Sequence, residues 1–210
     1  MSDAAPDDAD GQRPEDRRGH GPLIGAVLCG GRSRRFGSDK ALAPAGDQLM
    51  GSLVVDAIRE AGVDPVVAVG GTAGSDLGLV TVPDRWPGEG PLAGLATILW
   101  WARTGDVLVV PCDIPLLSAE VVGALVSARD ELRSNGRHDA VVAAVNGEPQ
   151  HSLVIWPADR HRSIRRMLDS GERRFRAALT VIPSVMVEVP GAALVDVDTP
   201  DELAELLDRS

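Results

Sequence analysis

The sequence predicts an α/β fold built on a mostly parallel sheet, and three observations predict it. Residues 23–27 form an apolar run that passes through Leu28 and Cys29 into paired glycines, Gly30 and Gly31, as a buried strand does when it gives way to a loop. Residues 49–61 place Leu49, Leu53, Val54, Ala57 and Ile58 at helical spacing and stop at Gly62. Two short β-branched runs follow, 65–69 and 79–82, and strand, helix, strand is the pattern of a parallel α/β unit.

Further along, residues 83–95 read PDRWPGEGPLAGL, a shaped loop whose Pro91 suits the first turn of a helix over 92–103. Trp100 and Trp101 in that helix are expected to pack. Residues 107–110 form a buried strand that stops at Pro111-Cys112-Asp113-Ile114-Pro115, and Ser118 is placed to N-cap a helix ended by Asn135-Gly136. Strands over 140–145 and 151–157 flank a polar turn and can form a hairpin. After a strand at 184–189, Thr199, Pro200 and Glu202 spell a capping box for a short last helix.

A chain of 210 residues with 44% hydrophobic content can bury a substantial core, and one domain over residues 22–210 is expected. Residues 1–21, rich in Asp, Gly, Pro and Arg, are expected to be a disordered acidic tail. The tail lacks the apolar core of a signal peptide and no run is long enough to span a bilayer, so a soluble, cytoplasmic protein without membrane contacts is expected. A net charge of −10 argues against general nucleic-acid binding, and 3% aromatic content without Tyr argues against base-stacking platforms. Cys29 and Cys112 have the setting of small buried hydrophobes, and no zinc or disulfide pattern exists.

The chemistry concentrates in residues 28–40, LCGGRSRRFGSDK. Gly30 and Gly31 let backbone N–H groups approach an anion, while Arg32, Arg34, Arg35 and Lys40 can donate charge-assisted hydrogen bonds to phosphate. The spacing matches neither the Walker A loop nor the dinucleotide fingerprint. Taken alone, the stretch reads either as a phosphate cradle or as a solvated basic turn. Asp113, presented between prolines past the end of a strand, is the metal-ligand candidate, because Mg²⁺ takes one or two carboxylates and completes its shell with water and phosphates. Asp84 and Glu89 are ligand candidates or solvated loop carboxylates. His151 is a phosphate or ring contact or a solvated strand residue. The arginines between 160 and 176 form a solvated helix face or a second phosphate surface.

With these pieces in order, the sequence resembles the molybdenum cofactor guanylyltransferases, a family of MobA-like nucleotidyltransferases. Their L-x-G-G-x-S-x-R-M-G-x-D-K is matched by residues 28–40 with Phe36 in place of Met, their G-P-L-A-G by 90–94, their P-C-D-x-P by 111–115, and their N-x-N-T-P-E-E-L by 196–203. The resemblance implies a three-layer, Rossmann-like sheet with helices on both faces, of the nucleotide-diphospho-sugar transferase type. It implies Mg²⁺-dependent transfer of GMP from GTP to molybdopterin, with release of pyrophosphate. Leu28, Cys29, Gly30 and Gly31 would hold the nucleotide through backbone groups, Lys40 the phosphates, Asp84 the guanosine portion and Asp113 the Mg²⁺. Arg32, Arg35 and Lys40 would stabilise phosphate charge, and Arg173 and Arg174 would hold the acceptor. GTP and a molybdopterin-type acceptor are thus the expected partners, with the chain monomeric or weakly homo-oligomeric. The chain departs from the family at Val69 and Gly70, where Asn is frequent, and at Asp196 and Asp198, which replace paired Asn residues. A cytidylyltransferase, a sugar- or alcohol-phosphate nucleotidyltransferase and a catalytically silent nucleotide-binding relative are the alternatives.

Overall fold

The computed structural model describes residues 22–29 and 39–208. In chain order its strands and helices are β1 (Leu23–Leu28), β2 (Pro44–Ala45), β3 (Gln48–Leu49), α1 (Met50–Glu60), β4 (Val66–Val69), β5 (Val80–Val82), α2 (Pro91–Ala102), β6 (Asp106–Pro111), α3 (Ala119–Ser134), β7 (Ala140–Val145), β8 (Glu148–Pro157), α4 (His161–Asp169), α5 (Phe175–Ala178), β9 (Ser184–Glu188) and α6 (Pro200–Leu207).

Seven strands form one sheet in the order β5-β4-β1-β6-β8-β7-β9, and β2 and β3 form a small separate ribbon. Strand β8 runs antiparallel to both of its neighbours, whereas the other pairings in the large sheet are parallel. The hairpin between β7 and β8 turns at Asn146 and Gly147, both with positive φ (52° and 80°). That two-residue turn suits the right-handed twist of the strands, and it starts β8 at Glu148, earlier than the polar residues of the turn suggest.

Each central strand buries both faces, which is why these segments read as continuous apolar runs. Val27, Leu108, Val110, Val141 and Ile155 face α1 and α3, and Ile24, Ala26, Val107, Val109, Val142 and Trp156 face α2, α4 and α5. The result is the three-layer, helices-on-both-faces arrangement that the sequence predicts. Trp101 packs against the second of these layers. Its neighbour Trp100 is 38% exposed, because adjacent helical positions diverge and only one of the two can face the sheet. A third, small cluster of Ala43, Ala45, Met50, Val197 and Leu203 ties the C-terminal segment to the ribbon that follows Lys40.

The chain runs β1, β4, β5 toward one edge and then returns to place β6 on the other side of β1. The carboxyl ends of β1 and β6 therefore border a topological switch point, where open α/β sheets leave a crevice for ligands. Among the described residues, no helix is long and apolar enough to cross a membrane.

Candidate active site

Lys40 opens a short 3₁₀ turn, Lys40–Leu42, whose first amides would otherwise lack acceptors. Asp39 supplies one: its Oδ1 accepts from the N–H of Ala41 at 3.2 Å. This cap fixes the turn that aims the Lys40 side chain into the switch-point crevice. Lys40 is 8% exposed, and its Nζ donates to Asp113 Oδ2 and to Asp198 Oδ1, both at 2.9 Å. Burial works against the ammonium charge, but the hydrogen bonds to Asp113 and Asp198 and their negative charges outweigh it, leaving Lys40 more basic than an ordinary lysine.

The two carboxylates arrive from distant parts of the chain. Asp113 stands in the loop after β6. Asp198 stands just before Thr199, the N-cap of α6, where its N–H donates to Glu202 Oε2 at 2.6 Å beside the Thr199–Glu202 capping box. The N–H of Val197 donates to the carbonyl oxygen of Asp113 at 2.9 Å, stitching the two loops together. The Asp113 and Asp198 side chains are 27% and 54% exposed, so neither carboxylate is buried by its pairing with Lys40. Hard oxygen donors of this kind suit Mg²⁺ or Mn²⁺. Among the described residues no group of three or more His, Cys, Asp or Glu converges, so a metal here would draw its other ligands from water and substrate.

The other side of the crevice is built by β1, β4 and α2. Cys29 donates its N–H to Val69 O at 3.1 Å. Gly71 has φ +63°, and a Cβ there would lie 2.4 Å from the Cys29 carbonyl oxygen, so a side chain at this position would push the two strand ends apart. Burial first, and the negative charge of Asp39 second, push the Cys29 thiol up to about 12, and burial raises Cys112 as well. Neither thiol is a nucleophile at neutral pH. Asp84 Oδ1 accepts from the Trp86 N–H at 3.0 Å and from Thr97 Oγ1 at 3.1 Å. Gly90 and Pro91 begin α2, and the Leu92 N–H donates to Arg173 O at 3.1 Å.

A model of the MobA-like NTP transferase domain matches residues 25–182, more than half of the chain. The chain belongs to the MobA-like NTP transferase family. It is a nucleotidyltransferase by that membership. A probable molybdenum cofactor guanylyltransferase of Deinococcus radiodurans is 34% identical over 196 residues, covering 90% of this chain and 95% of that protein. One from Carboxydothermus hydrogenoformans is 33% identical over 134 residues, and there the match spans 65% of the relative, just under two thirds of its length. Among solved structures, molybdopterin-guanine dinucleotide biosynthesis protein A from Archaeoglobus fulgidus has a TM-score of 0.70 at 20% identity, covering 89% of this chain and 97% of that one. A Mycobacterium tuberculosis protein solved as a manganese complex has a TM-score of 0.65 at 20% identity, covering 90% of this chain and 100% of that one. These two likenesses establish the fold.

Within this family frame, the structure brings together Leu28, Cys29, Lys40 and Asp113 at one crevice and sets Asp84 at the end of β5. Gly30, Gly31, Arg32, Arg34 and Arg35 lie outside the described residues, as does the 1–21 tail. Two residues of the site take roles that the motifs do not assign. Asp39 acts as the cap of the Lys40 turn, and Asp198 as its second carboxylate. Asp39 directly before Lys40 carries the signal for the first, and the second falls in the closing segment 196–203, where the resemblance leads one to expect Asn. The basic segment is already engaged: Arg173 pairs with Glu89, Arg174 with Glu172 and Arg165 with Asp169.

Proposed function

We propose that this nucleotidyltransferase moves GMP from GTP to the terminal phosphate of a molybdopterin-type acceptor and releases pyrophosphate. An acceptor phosphate oxygen attacks the α-phosphorus, the α–β bridging P–O bond breaks, and its electron pair leaves with pyrophosphate. No protein nucleophile is required, and the work is positioning and charge neutralisation. The observation that carries the reading is the buried Lys40 ammonium held between Asp113 and Asp198 at the switch point, in a chain similar to guanylyltransferases over nearly its whole length.

Lys40 would donate to the phosphate oxygens once nucleotide enters, exchanging part of its carboxylate contacts for phosphate ones. Asp113 and Asp198 would hold a divalent cation, Mg²⁺ in this proposal. Bound there, that ion would polarise phosphate oxygens and offset the charge that builds in the transition state. Leu28 and Cys29 would line the nucleotide with backbone groups, and Asp84 would contact the guanosine portion. Strand β8 continues past the end of β6 on the side where Asp113 stands, and His151 on that extension would contact the acceptor.

The test is pyrophosphate release from GTP with molybdopterin and Mg²⁺. Rapid release with GTP and not with CTP is expected. Release with CTP alone, or none with any acceptor while GTP still binds, would overturn the guanylyl assignment.

A further inference from the structure

Helix α2 reads PLAGLATILWWA, and Thr97 is the single hydroxyl or charged residue in its twelve positions. It is fully buried, flanked by Leu95, Ala96, Ile98 and Leu99, where an Ala or Val would pack without the cost of desolvating a hydroxyl. A helical Thr in an apolar setting ordinarily back-bonds to the carbonyl one turn earlier. Thr97 instead turns outward to the 83–86 loop. Its Oγ1 donates to Asp84 Oδ1 at 3.1 Å and accepts from the Arg85 N–H at 3.1 Å. The Trp86 N–H donates to the same Oδ1 at 3.0 Å. One oxygen of Asp84 thus carries two donors, while Oδ2 has no hydrogen-bond partner among the described residues. The Arg85 guanidinium lies 3.7 Å from the centroid of the Trp100 ring, one turn along from Thr97, and ties the next residue of the loop to the same helix.

We propose that Thr97 is a positioning residue for nucleotide selection: its hydroxyl, with the Trp86 amide, fills Asp84 Oδ1 and leaves Oδ2 as the oxygen that receives the nucleoside. This rests on the reading of Asp84 as a nucleotide contact. A carboxylate that offers one oxygen takes only donors that reach that oxygen, ribose hydroxyls or an exocyclic amine. It does not take the two parallel N–H bonds that a guanine edge makes with an unencumbered carboxylate.

The experiment measures equilibrium binding of GTP, 2′-deoxy-GTP, 3′-deoxy-GTP and ITP to the full-length protein and to its Asp84→Asn, Thr97→Val and Thr97→Ser variants. For the wild type, exactly one class of analogue, deoxy or inosine, is expected to bind about tenfold more weakly than GTP, and which class does so identifies the donor. Asp84→Asn should abolish that preference. Thr97→Val should reduce it severalfold, and Thr97→Ser, which keeps the hydroxyl, should restore it. If Thr97→Val does not fold, Thr97→Ala supplies the same comparison. Thr97→Val that weakens every analogue equally and keeps the preference would show a merely structural hydroxyl and overturn the proposal. A wild type that binds all four nucleotides alike would overturn the proposal. Unchanged GTP binding in Asp84→Asn would instead overturn the underlying assignment of Asp84.

Discussion

The backbone N–H of Val197 donates to the carbonyl oxygen of Asp113 at 2.9 Å, and the next residue, Asp198, reaches the ammonium that Asp113 also holds. The loop after β6 and the segment before α6 therefore act as one unit, and Lys40 is the cation between them. This unit has a direct consequence for metal binding. An amide at 198 could accept from Lys40 but would contribute no charge, whereas the aspartate makes the crevice doubly anionic.

Asp198→Asn should weaken divalent-cation binding by about tenfold, because affinity at oxygen sites follows the number of charged ligands. Asp113→Ala should lower kcat by about 100-fold or more, since it removes a carboxylate at the centre of the charge arrangement. Mn²⁺ titration by calorimetry measures the first and pyrophosphate release the second. Full activity in Asp113→Ala would remove this residue from the proposed mechanism.

Replacing Lys40 with Met removes the ammonium from which both Asp113 and Asp198 accept, and with it the attraction that offsets the repulsion between the two carboxylates. The Lys40→Met protein should melt lower than the wild type in the absence of metal. Added Mg²⁺ should raise its melting temperature more than it raises that of the wild type, because the ion takes over the neutralising role. Equal metal stabilisation of both proteins would argue against a shared carboxylate site.

Much of this arrangement is legible in the sequence, and what is legible is local. The strand ending at Cys29, the helix stop at Gly62, the Ser118 cap and the Thr199–Glu202 capping box each depend on residues a few positions apart, so pattern alone locates them. Asp113 is legible because prolines frame it at a strand end. The pairing of Lys40 with Asp198 spans 158 positions in the chain and depends on α6 packing against the ribbon through Met50, Val197 and Leu203, a contact that no short-range pattern encodes. The direction of β8 and the split between Trp100 and Trp101 are likewise decided by which face the sheet leaves open. The arginines of 160–176 suggest an anion surface when counted along the chain, yet Arg165, Arg173 and Arg174 each meet a carboxylate once the chain is folded.

At the opposite end of β6 from the crevice, Asp106 is 2% exposed. Its Oδ2 accepts from Arg129 Nε at 2.5 Å and Arg133 Nε at 2.9 Å, while its Oδ1 accepts from Arg133 Nη2 at 2.8 Å. Asp106→Ala takes the buried carboxylate from both guanidiniums, leaving Arg129 with Asp130 and Arg133 with the carbonyls of Arg137 and Asp139, and should cost about 3–5 kcal/mol, read as a shift in the urea midpoint. Arg129→Met should cost less, because Arg133 keeps its two-pronged contact. Nucleotide binding by the folded fraction should be unchanged in both.

The buried thiols give the fold a weakness at alkaline pH. Burial, with the nearby Asp39 charge, pushes Cys29 from an ordinary 9.0 up to about 12, and Cys112 is raised as well. In the unfolded chain both thiols ionise once pH passes 9.0, while in the folded chain they stay neutral. The stabilisation they provide is therefore complete below 9.0 and is lost as pH climbs toward 12. Lys40, also raised, loses its contribution in the same direction, so the thiols must be separated from it by substitution. Urea unfolding at about pH 8 and about pH 10 should show a loss of roughly 1 kcal/mol per thiol, and Cys29→Ala with Cys112→Ala should flatten that dependence. Thiol alkylation at about pH 8 should proceed only as fast as the protein opens, because the reactive thiolate is absent from the folded state. A pH dependence identical in the double variant, or rapid alkylation of the native protein, would show that these cysteines are not the neutral buried groups that the crevice requires.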